Sequence, residues 1–278
     1  MVQKKTKGTP QESSSMRIQK ALAHLGIGSR RGIEKAIIEK RIEVNNSPAH
    51  IGQIVSSKDK IIFDGKLVKL SDETLLPKIL LYHKPDGEIV SKNDPKKRPS
   101  VFDHLPKLKK EKWIAIGRLD FNTSGLLIFT TYGALANRLM HPRYEIEREY
   151  SVRILGELKE IHMQQLKEGV LLDDGKANLE SIIFEGGEGA NHWYKVTIRE
   201  GRNREVRRLF ERLNFTVSRL IRVRFGKIKL PSHLRRGMYL ELSQRHVKEV
   251  LKDHDFDINT FKTPQISNKS RMKKSYAI

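Results

Sequence analysis

The stretch that decides the fold reads Gly117-Arg118-Leu119-Asp120-Phe121-Asn122-Thr123-Ser124-Gly125-Leu126-Leu127. It is a polar loop between two apolar runs, residues 113–116 and 126–130, both of strand character. A carboxylate directly after a strand, among glycines and small hydroxyl residues, suits a nucleophile or base held on rigid elements with open access. Composition alone leaves a plainer reading open, in which Asp120 caps a local turn.

Working outward, strands alternate with helices. Residues 79–83 form an apolar strand stopped by Lys84-Pro85-Asp86-Gly87, a turn sequence. Residues 134–140 read as helix, 150–154 as strand, 160–168 as helix, 192–198 as strand and 203–213 as helix. The next strand, 217–225, interleaves Ser218, Arg219, Arg222 and Arg224 with Leu220, Ile221, Val223 and Phe225, as on a half-exposed sheet. Two further features carry chemical potential. Tyr150 sits inside a strand, Glu149-Tyr150-Ser151-Val152, where ordinary packing is the plain reading. Gly201-Arg202-Asn203-Arg204-Glu205-Val206-Arg207-Arg208 opens a basic helix, and free N–H groups at a helix start bind anions generically.

Ahead of this region lies a small module. Ile18, Leu22 and Leu25 share a helical face that Gly26 ends. Ser29 can cap a second helix with Ile33, Ile37 and Ile38 on one side and Arg30, Arg31 and Lys35 among its polar positions. Short strands follow at 42–44, 53–55, 61–63 and 67–70, the last two joined by an Asp64-Gly65 turn. The expected organisation is a disordered basic N-terminus (1–15), the module (16–75), a large domain (76–252) and a disordered basic tail (253–278), with residues 71–78 as linker.

The chain has 278 residues, 54 Lys+Arg against 33 Asp+Glu, and a formal net charge of +21. The excess is spread over every segment rather than held in a tail. It peaks between Arg199 and Lys229, where nine arginines and two lysines face three acidic residues. Arginine's planar fork pairs with phosphate and stacks on bases, so nucleic acid is the expected partner, although a solvated basic face would look the same by charge alone. Absence of cysteine excludes disulfide scaffolds, cysteine nucleophiles and thiolate metal sites. No apolar run approaches the about 18 residues of a membrane span, and the start lacks a signal-peptide core, so a cytoplasmic protein is expected.

Taken together, the motifs resemble the RsuA/RluB/RluE/RluF family of ribosomal RNA pseudouridine synthases. Gly117-Arg118-Leu119-Asp120 with Asn122-Thr123-Ser124-Gly125-Leu126-Leu127 matches the family's catalytic-aspartate motif. Glu149-Tyr150-Ser151-Val152 matches its tyrosine strand, and residues 201–208, with Ser218-Arg219-Leu220 beyond, match its third motif. Lys84-Pro85-Asp86-Gly87 through Arg98-Pro99-Ser100-Val101-Phe102-Asp103 resembles its opening strands, and the front module resembles its S-four RNA-binding domain. Gly28-Ser29-Arg30-Arg31 and the basic tail lean toward the RluB type. The likeness spans roughly residues 16–250; one departure is Thr131-Tyr132-Gly133, where the family more often has Asn-Asp-Gly.

The resemblance implies an α+β protein: a small N-terminal S-four module, then a catalytic domain built on a mixed, largely antiparallel sheet. It implies isomerisation of a uridine in ribosomal RNA, most naturally large-subunit RNA near the peptidyl-transferase centre or a pre-ribosomal particle, by a monomer needing no cofactor and no metal. Asp120 would be the ionised nucleophile, Arg207 its ion-pair partner, and Tyr150 the residue that stacks on the base and removes the carbon-bound proton. Arg118 would fill the space of the flipped uridine. Arg30, Arg31, Lys35, Arg202, Arg204 and Arg219 would contact RNA. Two other classes compete: a non-catalytic ribosome-assembly factor, which has no need of a carboxylate in a basic groove, and a methyltransferase, which would need a glycine-rich loop where Lys84-Pro85-Asp86-Gly87 stands.

Overall fold

The computed structural model describes residues 15–70, 74–109 and 111–262. The expectations for residues 1–14 and for the basic run 269–274 lie outside these. The chain divides into two compact units, one built from residues up to 76 with 108–112 and the segment from 259, the other from 77–107 and 113–258.

The first unit opens with β1 (Met16–Arg17), α1 (Ile18–His24) and α2 (Arg30–Ile38). Ser29 Oγ accepts from the Gly32 amide at 3.0 Å, satisfying one of the free N–H groups at the start of α2. Strands β2 (Ile42–Val44), β3 (Ser47–Pro48), β5 (Ile61–Phe63) and β6 (Lys66–Val68) form an antiparallel sheet ordered β3-β2-β5-β6, while β4 (Ile54–Val55) pairs with β1. Ile18, Leu22, Ile33, Ile37, Ile42 and Ile61 make the core. Ile38 does not share their face: it follows Ile37 by about 100° of helical turn and is 70% exposed. The expected linker contains β7 (Thr74–Leu75), and Leu76 is buried.

The second unit carries a nine-stranded sheet. Its elements are β8 (Ile79–Lys84), β9 (Ile114–Ile116), β10 (Ser124–Thr130), α3 (Gly133–Met140), β11 (Arg148–Leu155) and α4 (Glu160–Glu168). A small hairpin follows, β12 (Val170–Leu172) with β13 (Gly175–Ala177), then β14 (Ser181–Glu188), β15 (Asn191–Ile198), α5 (Glu205–Arg212) and β16 (Val217–Phe225). The unit ends with β17 (Ile228–Lys229), β18 (Tyr239–Glu241) and α6 (Gln244–Asp253). The sheet runs β14-β15-β11-β16-β10-β8-β18, with β9 on β10 and β17 on β16. Every pairing is antiparallel except β10 with β16, so the α+β, largely antiparallel expectation holds.

Two details correct the sequence reading. Order does not stop at residue 253, because β19 (Phe261–Lys262) pairs in parallel with β7 inside the first unit and Phe261 is buried. On β16 the arginines are not uniformly half-exposed: Arg219 is exposed while Arg222 is 2% exposed. The two are three residues apart with no register shift between them, so alternation puts them on opposite faces of the sheet, one of them covered.

Candidate active site

Three strand ends of the second unit deliver the site. The turn at Gly117 (φ +75°) ends β9, Asp120 follows, and the chain enters β10 at Ser124. Gly125 has φ +105°, and a Cβ there would lie 2.3 Å from the Arg222 carbonyl oxygen and 2.5 Å from its nitrogen. Only glycine permits this approach, which sets the parallel pairing Ser124–Ile221 and Gly125–Arg222 and so anchors the Asp120 loop to β16. On the other side of β16, Tyr150 of β11 lies opposite Arg222.

These elements enclose a cleft of about 510 Å³ lined by Arg118, Asp120, Tyr150, Arg204, Arg148 and Arg222 among others. Asp120 is half-buried, and its carboxylate makes no hydrogen bond or ion pair among the described residues. Its loop is fixed through backbone: Thr123 N–H donates to the Asp120 carbonyl (3.1 Å) and Gly87 N–H to the Phe121 carbonyl (2.9 Å). Tyr150 is 8% exposed. Thr123 Oγ1 is buried on the cleft wall without a hydrogen-bond partner. The site thus offers one uncommitted carboxylate and one aromatic ring in a basic wall.

Lys84, which sequence reading passed over, lies beneath the loop. It is fully buried, and its Nζ donates to the carbonyls of Pro85 (2.9 Å), Thr123 (2.8 Å) and Phe121 (3.4 Å). Burial pushes its pKa down to about 8, while the nearby carboxylates of Glu88, Asp86 and Asp120 pull the other way. Its only sequence signal is a lysine closing an apolar strand just before Pro85.

Arg207 does not form the expected ion pair with Asp120. It lies on the buried face of α5, where its Nη1 donates to the Val217 carbonyl (2.7 Å) and its Nη2 to the Asn122 carbonyl (2.6 Å). Backbone acceptors therefore claim the guanidinium, which touches the Asp120 loop at Asn122 instead of the carboxylate. Burial, with Arg204 nearby, lowers its pKa, and Asp120 acts on it only through space.

The other basic residues separate by location. Arg118 is exposed at the cleft, and Arg204, in a left-handed conformation (φ +49°) before α5, is exposed there too. Arg202 also lines the cleft, but its donors are committed to Glu200, the Asp174 carbonyl and the Lys176 carbonyl, tying down the β12–β13 hairpin. Arg219 pairs opposite Arg153, three residues from Tyr150, and so faces away from the cleft on the other side of the sheet. In the first unit Arg30, Arg31 and Lys35 are all exposed on α2, with Lys35 3.7 Å from Glu39.

Arg148 and Arg222 are cleft residues that motif reading missed. Arg148 donates to the carbonyls of Arg199 and Glu200, each at 2.7 Å, and Arg222 Nε donates to the Leu126 carbonyl at 2.8 Å. Burial lowers the pKa of both, and the Tyr150 phenol opposes that shift in each. Glu205, also on the cleft wall, is buried, and burial raises its carboxyl pKa even though it accepts from the Arg202 amide.

Residues 78–212 match the model of the RNA pseudouridylate synthase family and residues 16–61 that of the S4 domain. The chain is 48% identical over 259 residues to ribosomal large subunit pseudouridine synthase B of Pseudomonas aeruginosa, covering 92% of this chain and 67% of that protein. It is 52% identical over 231 residues to the protein of the same name from Escherichia coli strain K12, covering 82% and 79%. A solved structure described as a pseudouridylate synthase superposes with a TM-score of 0.58 at 27% identity, covering 84% of this chain and 99% of that one. With the matched regions falling on the two units and the first one containing Asp120, Tyr150 and Arg207, the chain belongs to the RNA pseudouridylate synthase family and carries an S4 domain ahead of its catalytic domain.

Proposed function

We propose that this enzyme converts one uridine of large-subunit ribosomal RNA, near the peptidyl-transferase centre, to pseudouridine, using Asp120 as nucleophile. The observation that carries this reading is the Asp120 carboxylate, free of hydrogen bonds among the described residues, on a backbone-anchored loop that shares an arginine-lined cleft with Tyr150. The reaction breaks the C1′–N1 bond, turns the base and joins C1′ to C5, with no net redox change. Asp120 acts on the sugar side of the cleaved bond. Tyr150 stacks on the base and takes the C5 proton once C5 is bonded. Arg118 fills the gap that the flipped nucleotide leaves, and Arg204 meets RNA phosphate. Arg207 positions the loop through Asn122. The S4 domain adds phosphate contacts from Arg30, Arg31 and Lys35.

The relatives' shared name supports the large subunit as substrate source, and the same reading has the chain working as a cytoplasmic monomer. Among the described residues no helix is long and apolar enough to cross a membrane. The test is incubation with large-subunit and small-subunit ribosomal RNA carrying C5-tritiated uridine, without added cofactor. Tritium release from large-subunit RNA alone, abolished in Asp120→Asn while RNA affinity persists, is expected. No release, or release equally fast from Asp120→Asn, refutes the assignment and favours a non-catalytic assembly role.

A further inference from the structure

The cleft wall behind Tyr150 contains more positive charge than RNA backbone binding explains. Arg222 is 2% exposed in the middle of β16. Its Nε is held by the Leu126 carbonyl at 2.8 Å, and its guanidinium lies 5.2 Å from the centre of the Phe225 ring. Its Nη2 is buried and has no hydrogen-bond partner, yet the residue lines the cleft. Arg148 lies on the same wall, its guanidinium also 5.2 Å from the Phe225 ring centre. Neither arginine forms an ion pair among the described residues. Glu205 on the same wall acts on Arg148 only through space, and desolvated guanidiniums without a direct ion-pair partner are expensive to keep in a fold, so a ligand acceptor that arrives at this wall gains unusually strong interactions.

Phosphate is a poor candidate for that acceptor. Arg222 presents only its terminal guanidinium nitrogens at the bottom of the cleft beside Tyr150, whereas the exposed cations at the cleft, Arg118 and Arg204, are where a hydrated backbone can be met. The base itself fits. When the C1′–N1 bond breaks, its electron pair stays on N1 and spreads onto the O2 and O4 oxygens of uracil. That charge must be held while the ring turns. It is discharged when C5 bonds to C1′, the C5 proton departs and N1 takes up a proton, which leaves no net change in atoms or electrons. Asp120 serves the sugar side of this event, and a negative carboxylate does nothing for a uracil anion.

We infer that Arg222 is a catalytic residue whose guanidinium donates an uncommitted terminal N–H to a uracil carbonyl oxygen and, with Arg148 beside it, stabilises the detached base as an anion. This rests on the pseudouridine synthase reading above. Preorganised donors aimed at developing charge in a water-poor site cost no reorganisation at the moment of reaction, and losing one is worth on the order of 10²–10³ in rate. Arg222→Gln keeps a neutral donor near the Leu126 carbonyl but removes the charge. Arg222→Lys keeps the charge.

The experiment measures single-turnover consumption of the target nucleoside at saturating enzyme, in RNA carrying either uridine or 5-fluorouridine there. Fluorine withdraws electrons, so the detached base is an easier anion to form. Arg222→Gln should consume uridine RNA on the order of a hundredfold more slowly at unchanged RNA affinity, with 5-fluorouridine recovering at least tenfold of that loss relative to wild type. Arg222→Lys should keep a fluorine effect close to wild type, which carries the test if the Gln variant does not fold. An unchanged fluorine effect in a folded Arg222→Gln enzyme overturns the proposal and makes Arg222 structural. Loss of RNA affinity at an unchanged rate overturns it in favour of a phosphate-binding role. Failure of the wild-type protein to consume uridine at all would instead overturn the functional reading beneath it.

Discussion

Replacing Lys84 by Met removes an ammonium from under the Asp120 loop at nearly constant volume, and the structure sets opposing contributions to its effect. The charged form is penalised by burial: a pKa lowered from 10.5 to about 8 corresponds to about 3 kcal/mol at neutral pH. Methionine relieves that cost. It also strands the Pro85 and Thr123 carbonyls, now held at 2.9 and 2.8 Å, at about 1–3 kcal/mol each. The two contributions nearly cancel, so global stability should change by no more than about 3 kcal/mol. Activity has no such compensation. Thr123 and Phe121 flank the strand end that carries Asp120, and a displacement of about 1 Å there costs on the order of a hundredfold in rate.

The pH dependence separates the two effects. Because the folded-state pKa lies below the unfolded one, the unfolded chain binds more protons between about pH 8 and pH 10.5, and this residue makes stability rise with pH across that window. Activity should move the opposite way above about pH 8, since the neutral amine has two N–H donors for three carbonyls. Urea unfolding across pH and single-turnover rates at saturating enzyme measure both. A Lys84→Met protein with a wild-type turnover rate, or one that keeps the alkaline rise in stability, refutes the clamp.

Arg207→Ala should release the Asn122 and Val217 carbonyls and lower the single-turnover rate far more than RNA affinity, whereas Arg204→Ala at the exposed cleft edge should weaken affinity and spare the rate; rate and binding measured on both variants decide it. Gly125→Ala sets a Cβ 2.3 Å from the Arg222 carbonyl oxygen at φ +105° and should cost more than about 4 kcal/mol or prevent folding, as read by thermal or urea unfolding. Replacing Arg30, Arg31 and Lys35 together by Ala should leave stability nearly unchanged and lower the log–log salt slope of RNA binding by about 0.9 for each phosphate these side chains neutralise. An unchanged slope would mean that this face of α2 does not touch RNA.

What the sequence made legible is what repeats locally. Ser29 before α2, the Asp64-Gly65 turn and the strand–loop–strand around Asp120 each depend on neighbours within a few residues, and each stands as read. Arg222, Lys84 and the true partners of Arg207 depend on residues far along the chain: Arg222 on Leu126, Lys84 on Thr123, Arg207 on Asn122. No periodicity reports such pairs. Charge even misleads, because exposure is the ordinary expectation for Lys and Arg, and Lys84 and Arg222 are among the most buried side chains in the molecule. Alternation along β16 puts Arg219 and Arg222, three residues apart with no register shift between them, on opposite faces, and only the assembled sheet shows that Arg222 is the one on the face of Tyr150. A carboxylate in the role proposed for Asp120 needs open access, and an open loop has little packing of its own. The order it requires is therefore imported from buried cations that hydrogen-bond its backbone carbonyls, Lys84 from below and Arg207 from α5. The reacting groups of such a site are read from motifs, while the groups that hold them still become visible only when the sheet is assembled.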